Sequence, residues 1–191
     1  MKKQPDVTEK TRQAFIDVFC ELYSKKPIEK ISVQEIANNS GYNRSTFYQY
    51  FSDIYELLDF VETDLLDYIK DELTKEEESE NAVHDFLHCF EKESHMSALS
   101  ALFGDYGSTR FLERLKREIP VDRWALNLPK GNATTPYLIE FYISTSLSLL
   151  KLWFRRHKDL PLYELSELMH NLYTGGIATV VDNENKIPYY N

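Results

Sequence analysis

Between Arg44 and Tyr50 the chain reads Arg-Ser-Thr-Phe-Tyr-Gln-Tyr. Wound as a helix, Phe47 and Phe51 share one face, and Ser45, Thr46 and Gln49 point the other way. Arg44 joins the polar face, and Tyr48 and Tyr50 flank it. Hydroxyls, a carboxamide and a guanidinium are the groups that hydrogen-bond base edges and phosphates. The chemistry expected of this cluster is recognition of double-stranded DNA. A second cluster holds His84 and His88, four residues apart, with Cys89 adjacent and His95 nearby. Two histidines at that spacing can bind zinc or a softer metal. No motif fixes a third ligand, and the same residues fit the surface of a helix whose Phe86, Leu87 and Phe90 face a core. No metal and no cofactor are therefore expected. The sequence has no Gly-rich phosphate loop, no HExxH and no nucleophile elbow, so no enzyme is expected either.

The polar face needs elements to position it. Ser32 followed three residues later by Glu35 has capping-box spacing, so a helix should start at Val33. Val33, Ile36, Ala37 and Ser40 then fall on one side, with Gln34 and Asn38 opposite. Gly41 can supply the positive φ of a helix stop, and Asn43 is a good N-cap for the next helix. That second helix, about two turns long, is too short to stand alone. Short helix, glycine turn and short polar-faced helix make a helix-turn-helix, with the second helix suited to the major groove. The pattern equally fits a helical corner inside an all-α domain, its Ser, Thr and Gln merely solvated.

The stretch resembles the N-terminal DNA-binding domain of the TetR family of bacterial transcriptional regulators. The resemblance rests on Ile36-Ala37, Gly41, Arg44 to Phe51, and Tyr55-Glu56-Leu57-Leu58, and covers about a third of the chain. It implies that Arg44, Ser45, Thr46 and Gln49 lie near bases, and that Tyr48 and Tyr50 sit against phosphates and thymine methyls. Asn43 caps this segment, and Ser32, Val33 and Gln34 approach the backbone. One position departs from the pattern: Ile54 stands where the family commonly has a phosphate-contacting lysine. One lost cation should weaken binding and lower the salt slope by about one unit.

The 191 residues carry a net charge of −9, which at first sight opposes nucleic-acid binding. The distribution is uneven. Residues 1–52 hold eight Lys/Arg against six Asp/Glu, so the acidic excess lies in the remainder. An acidic body repels non-specific DNA, and specific binding should then need two heads at once. Met1-Lys2-Lys3 is followed by polar residues, so no secretory signal is expected. The long apolar stretch from Tyr137 to Phe154 contains Glu140, Lys151 and several Ser and Thr, which suits a buried helix and not a membrane span. Cys20 and Cys89 sit in helical apolar patterns and read as reduced core thiols of a cytoplasmic protein.

Taken in order, Met1 to Val7 reads as a polar arm and Thr8 to Ser24 as a helix with Ala14, Phe15, Val18, Phe19 and Leu22 inward. Phe15, Phe19, Ile36, Phe47 and Phe51 should centre the head's core. A helix from Ser52 or Asp53 carries Leu57, Leu58, Val61, Leu65, Tyr68, Ile69 and Leu73 inward, up to an acidic run near Glu80. Further helices are expected near Asn81–Lys92, Met96–Phe103, Thr109–Ile119, Thr134–Arg156 and Tyr163–Tyr173, the last ended by Gly175-Gly176. The expected fold is all-α: a three-helix reading head (1–52), a connecting helix and acidic boundary (53–80), and a larger helical ligand-binding and dimerisation body (81–191). The helix from Thr134 is apolar nearly all round and so needs burial on every side. A second subunit can cover one side, with Phe141, Ser144, Leu147, Ser148, Leu165, Leu168, Met169 and Leu172 at a four-helix interface. Trp153, followed by a Pro-bounded amphipathic helix, resembles a TetR subgroup common in Firmicutes. The resemblance also implies a cavity for a small-molecule effector, for which Phe86, Phe90, Phe103, Tyr106, Phe111, Trp124 and Tyr142 are the candidate lining. The function expected is a ligand-responsive repressor binding a palindromic operator as a homodimer. The rival is a co-regulator of the same fold that acts through protein contacts without sequence-specific DNA binding.

Overall fold

The computed structural model describes residues 5–75, 95–119 and 133–182, and these are all-helical. The order is α1 (Pro5–Tyr23), a 3-10 turn (Ile28–Lys30), α2 (Val33–Asn39), α3 (Arg44–Phe47), α4 (Ile54–Lys75), α5 (Met96–Phe103), α6 (Thr109–Glu118), α7 (Thr135–Arg155) and α8 (Leu162–Asp182). The expected helix at Asn81–Lys92, the histidine cluster at 84–88, Cys89 and the loop around Trp124 lie outside the described residues.

The head closes around aromatic side chains. Phe15, Phe19, Ile36 and Phe47 are completely buried and Phe51 nearly so. Phe15 meets Phe47 edge-on at 5.4 Å, and Phe47 lies 5.7 Å from Phe51. Each buried phenylalanine contributes roughly 1.5–3 kcal/mol, which lets such short helices hold their places. Cys20 is buried in the same core, and desolvation, helped by Asp17, pushes its thiol up to about 12. It is an inert packing residue.

Asp53 Oδ1 accepts the Tyr55 and Glu56 N–H groups at 2.8 Å, and Glu56 Oε2 accepts the Ser52 N–H at 2.5 Å, so the start of α4 is capped from both sides. Leu57, Val61, Leu65 and Ile69 give α4 its buried stripe. α1 packs on α5, as does α4, and α5 packs on α7. One hydrophobic cluster therefore runs from Phe15 to Met169 through head and body.

Polar contacts join α4 to α6. Glu62 is fully buried, and its Oε2 accepts from Arg110 Nη2 at 2.9 Å; Asp59 Oδ1 accepts from the same nitrogen at 2.8 Å. Further along, Glu118 takes Lys70 Nζ at 2.7 Å and Arg114 Nε at 2.9 Å. These two cations hold its carboxyl down from 4.5 to about 2.

Three expectations about helix ends need correction, the first being that α1 already begins at Pro5, within the stretch read as a polar arm. α3 is a single turn of four residues; Tyr48 to Tyr50 form tighter turns, with the Gln49 N–H to Thr46 O and the Tyr50 N–H to Phe47 O. α8 runs through Gly175-Gly176 to Asp182. A glycine costs a helix about 1 kcal/mol relative to alanine, but it stops one only where φ turns positive, and among the described glycines only Gly41 does so.

Candidate nucleic-acid interface

Ser32 caps α2, its Oγ accepting the Glu35 N–H at 3.2 Å. Glu35 is also gripped by Lys26 Nζ at 2.6 Å, which ties the turn after α1 to the start of α2. Past the end of α2, the Gly41 N–H meets Asn38 O and the Tyr42 N–H meets Ala37 O. This paired closure is a Schellman motif, and it requires the left-handed residue that Gly41 supplies at φ +76°. Asn43 then caps α3, its Oδ1 accepting the Thr46 N–H at 2.9 Å. The fixed turn presents α3 with Phe47 inward and Arg44, Ser45, Tyr48 and Gln49 exposed.

The exposed groups are ordered among themselves. The Ser45 and Thr46 hydroxyls both donate to Asn43 Oδ1, at 2.5 and 3.0 Å. Arg44 Nη2 donates to the Tyr48 hydroxyl at 3.0 Å, and its guanidinium lies 5.8 Å from that ring's centre. Gln34 is exposed and donates to Asn38 at 2.7 Å. Ser32, Gln34, Asn43, Arg44, Ser45, Tyr48 and Gln49 are thus exposed on α2, α3 and their caps, with Thr46 half-buried among them. Tyr50 differs: it is half-buried, with its ring 5.9 Å from Phe15, and serves the core as well as the rim. Sequence reasoning passed over Tyr42, which is exposed beside α3 and braced by Phe15 at 5.4 Å. The available signal was an aromatic residue directly after the glycine stop. Ile54 is half-buried against the core, so the position offers DNA no charge.

Among the described residues, the candidates for the effector lining are spread over different surroundings. Phe103 and Phe111 are fully buried and meet edge-on at 5.8 Å, with Phe154 stacked 5.5 Å from Phe103; ring contacts occupy that space. Tyr106 is exposed in the turn after α5. Phe86, Phe90 and Trp124 lie outside the described residues. Tyr142 borders an open groove of about 590 Å³ between α7 and α8. Its hydroxyl pKa is raised by burial and then by Tyr173, whose ring lies 4.8 Å away.

That groove lies among the residues expected at a subunit interface. Phe141, Ser144, Ser148, Met169 and Leu172 line it, and Phe141 and Leu172 are each 57% exposed. Leu168 is exposed as well. Leu147 and Leu165 are corrections: both are buried in the protomer's own core, as is most of Met169. An all-round apolar helix left open which side faces inward, and the side carrying Ile143, Leu147 and Leu150 does.

A helix-turn-helix head with an exposed polar α3, set on a body whose described residues are all-helical, is the architecture of TetR-type regulators. Residues 15–61 match the family model described as bacterial regulatory proteins, tetR family. No curated protein matches the chain. Among solved structures, a TetR-family transcriptional regulator from Streptomyces coelicolor is 20% identical, covering 93% of this chain and 84% of its own, with a TM-score of 0.59. The dihydroxyacetone kinase operon activator DhaS is 18% identical over 88% of this chain and 97% of its own, at 0.59. The fatty acid degradation regulator FadR from Bacillus halodurans is 14% identical over 93% and 98%, at 0.61. The chain therefore has a TetR-type N-terminal domain and the TetR fold.

Proposed function

We propose that the protein is a cytoplasmic transcriptional regulator that binds a roughly palindromic operator as a homodimer, as a repressor relieved by a small-molecule effector. The observation that carries this reading is the exposed polar face of α3, held by Asn43 and Gly41 and lying within the matched segment. The apolar surface of α7 and α8 supports dimerisation, since Tyr137, Phe141 and Leu172 stand open on it. Contiguous exposed apolar surface of this kind marks an interaction site. The divisions at 52 and 80 separate the reading head, the connecting helix and the body. Trp153 and Pro161 are the ground for placing the body in the Firmicutes-type subgroup.

The co-regulator reading is favoured by Ile54 and by the net charge of −9. It predicts a dimer with no sequence preference for DNA. Selection from random duplexes, at low salt and at about 200 mM, where phosphate-dominated binding falls steeply, separates the two. A two-fold symmetric enriched motif supports the regulator. A folded dimer that enriches nothing at low salt is the co-regulator.

A further inference from the structure

We infer that Asn43 sets the hydrogen-bond polarity of the reading face, turning Ser45 and Thr46 into acceptors that recognise the exocyclic amino groups of adenine or cytosine in the major groove. The inference rests on the regulator reading above and deepens it.

The polarity follows from one backbone contact. The Thr46 N–H can only donate, and it lies 2.9 Å from the Asn43 side-chain atom it meets, so that atom is the oxygen and the amide orientation is fixed. The Ser45 and Thr46 hydroxyls lie 2.5 and 3.0 Å from the same oxygen. An amide oxygen cannot donate, so both hydroxyls spend their single proton on it. What each has left to offer is lone pairs.

Phosphate oxygens are acceptors only, and so are guanine N7 and O6 and thymine O4. None of them can pair with a hydroxyl whose proton is committed. The donors in the major groove are the N6 amino group of adenine and the N4 amino group of cytosine. Arg44 has the opposite effect on Tyr48. A guanidinium only donates, so the Tyr48 oxygen accepts at 3.0 Å and keeps its own proton for an outside acceptor such as a phosphate. The face thus carries two acceptors near the start of α3 and one donor a turn later.

The test uses the duplex enriched by the wild-type protein. Adenines are replaced one at a time by unsubstituted purine, and cytosines by 2-pyrimidinone, removing one amino group each. At one or two positions in each half-site the wild type should lose about fivefold or more, the equivalent of one hydrogen bond. A Ser45→Ala/Thr46→Val variant should lose nothing further there. Asn43→Gly keeps much of the capping but frees the hydroxyl protons, which can then donate as well as accept. Duplexes that place guanine or thymine at those positions should then approach the affinity of the amino-bearing duplex. Asn43→Asp restores an acceptor and should restore that gap, even though its charge weakens binding to every duplex. A merely structural cap would change affinity without changing that gap. Equal penalties in the wild type and the double variant at every position overturn the inference while leaving the regulator standing. Failure to enrich any duplex removes the regulator reading and this inference with it.

Discussion

At the scale of single residues, Gln49 and Tyr48 are neighbours with different expected work. A carboxamide can make a bidentate pair with one adenine, worth about 1–3 kcal/mol of discrimination. A tyrosine hydroxyl that keeps its proton suits any phosphate alike. Gln49→Ala should therefore change base preference at one operator position. Tyr48→Phe should weaken all duplexes by a common factor of roughly three to ten, the net worth of one hydrogen bond. Competition binding against a panel of single-base variants measures both. Unchanged affinity and preference in both variants would mean that α3 does not face the groove. These local features were legible in the sequence because their partners lie within four residues. Ser32 with Glu35, Gly41, and Asn43 with Thr46 are all short-range contacts whose chemistry is written in residue type. The turn after α7 was not legible. His157 and Lys158 both adopt left-handed backbone, at φ 55° and 58°. They close a Schellman pair through the His157 N–H to Phe154 O and the Lys158 N–H to Trp153 O. No glycine announced it. Trp153 Nε1 reaching Leu160 O at 2.8 Å helps hold that turn.

At the scale of elements, apolar stripes located α1 and α4 to within a few residues, and α5 and α6 also fall where helices were expected, whereas the contacts between α4 and α6 could not be read. Glu62 with Arg110 and Lys70 with Glu118 are each separated by 48 residues, and nothing in a charge pattern says which of many acids and bases will meet. The seam has a measurable acid signature. Glu118 is held down to about 2 by Lys70 and Arg114, below the 4.5 it would have without them. A carboxyl lowered on folding stabilises the native state fully above the higher value, and loses that contribution as pH falls toward the lower one. The stability advantage of the wild type over Glu118→Gln should be constant at neutral pH, shrink below pH 4.5, and be gone near about pH 2. Parallel thermal melts of the two proteins read it directly. A difference that does not change with pH would mean that the Glu118 charge adds nothing to the α4–α6 contact. Glu62 is a different kind of member, because a fully buried carboxylate that loses its cation is costly in itself, typically about 3–5 kcal/mol. Arg110 thus fixes the approach of α6 to α4 at the end of the matched segment, through Asp59 inside it and Glu62 just beyond.

At the scale of the whole molecule, the argument turns on how much apolar surface one chain leaves open. α7 carries Tyr137 at 78% exposure and Phe141 at 57%, and α8 adds Leu168 and Leu172. The sequence pointed to this pair of helices because α7 is apolar on nearly every side. It could not say which side the protomer's own core would take, and so Leu147 and Leu165 were misplaced. The groove between the helices, about 590 Å³ and edged by Ser144 and Ser148, is open to side chains of a second copy related by two-fold symmetry. Phe141 and Leu172 stand at its border, so one change at each should act on both halves of an isologous contact. Phe141→Glu/Leu172→Glu places charges against the groove and should convert the proposed dimer to a monomer in sedimentation equilibrium, leaving the helical signal intact because both positions are exposed. Duplex affinity should fall with it by about a hundredfold or more, since the second head no longer binds at the effective concentration the first one provides. The acidic remainder of the chain makes this loss steeper, because a lone, weakly basic head has little non-specific attraction to fall back on. A double variant that stays dimeric places the contact on another surface. One that becomes monomeric yet keeps its duplex affinity would mean that a single head suffices, and the palindromic operator would go with it.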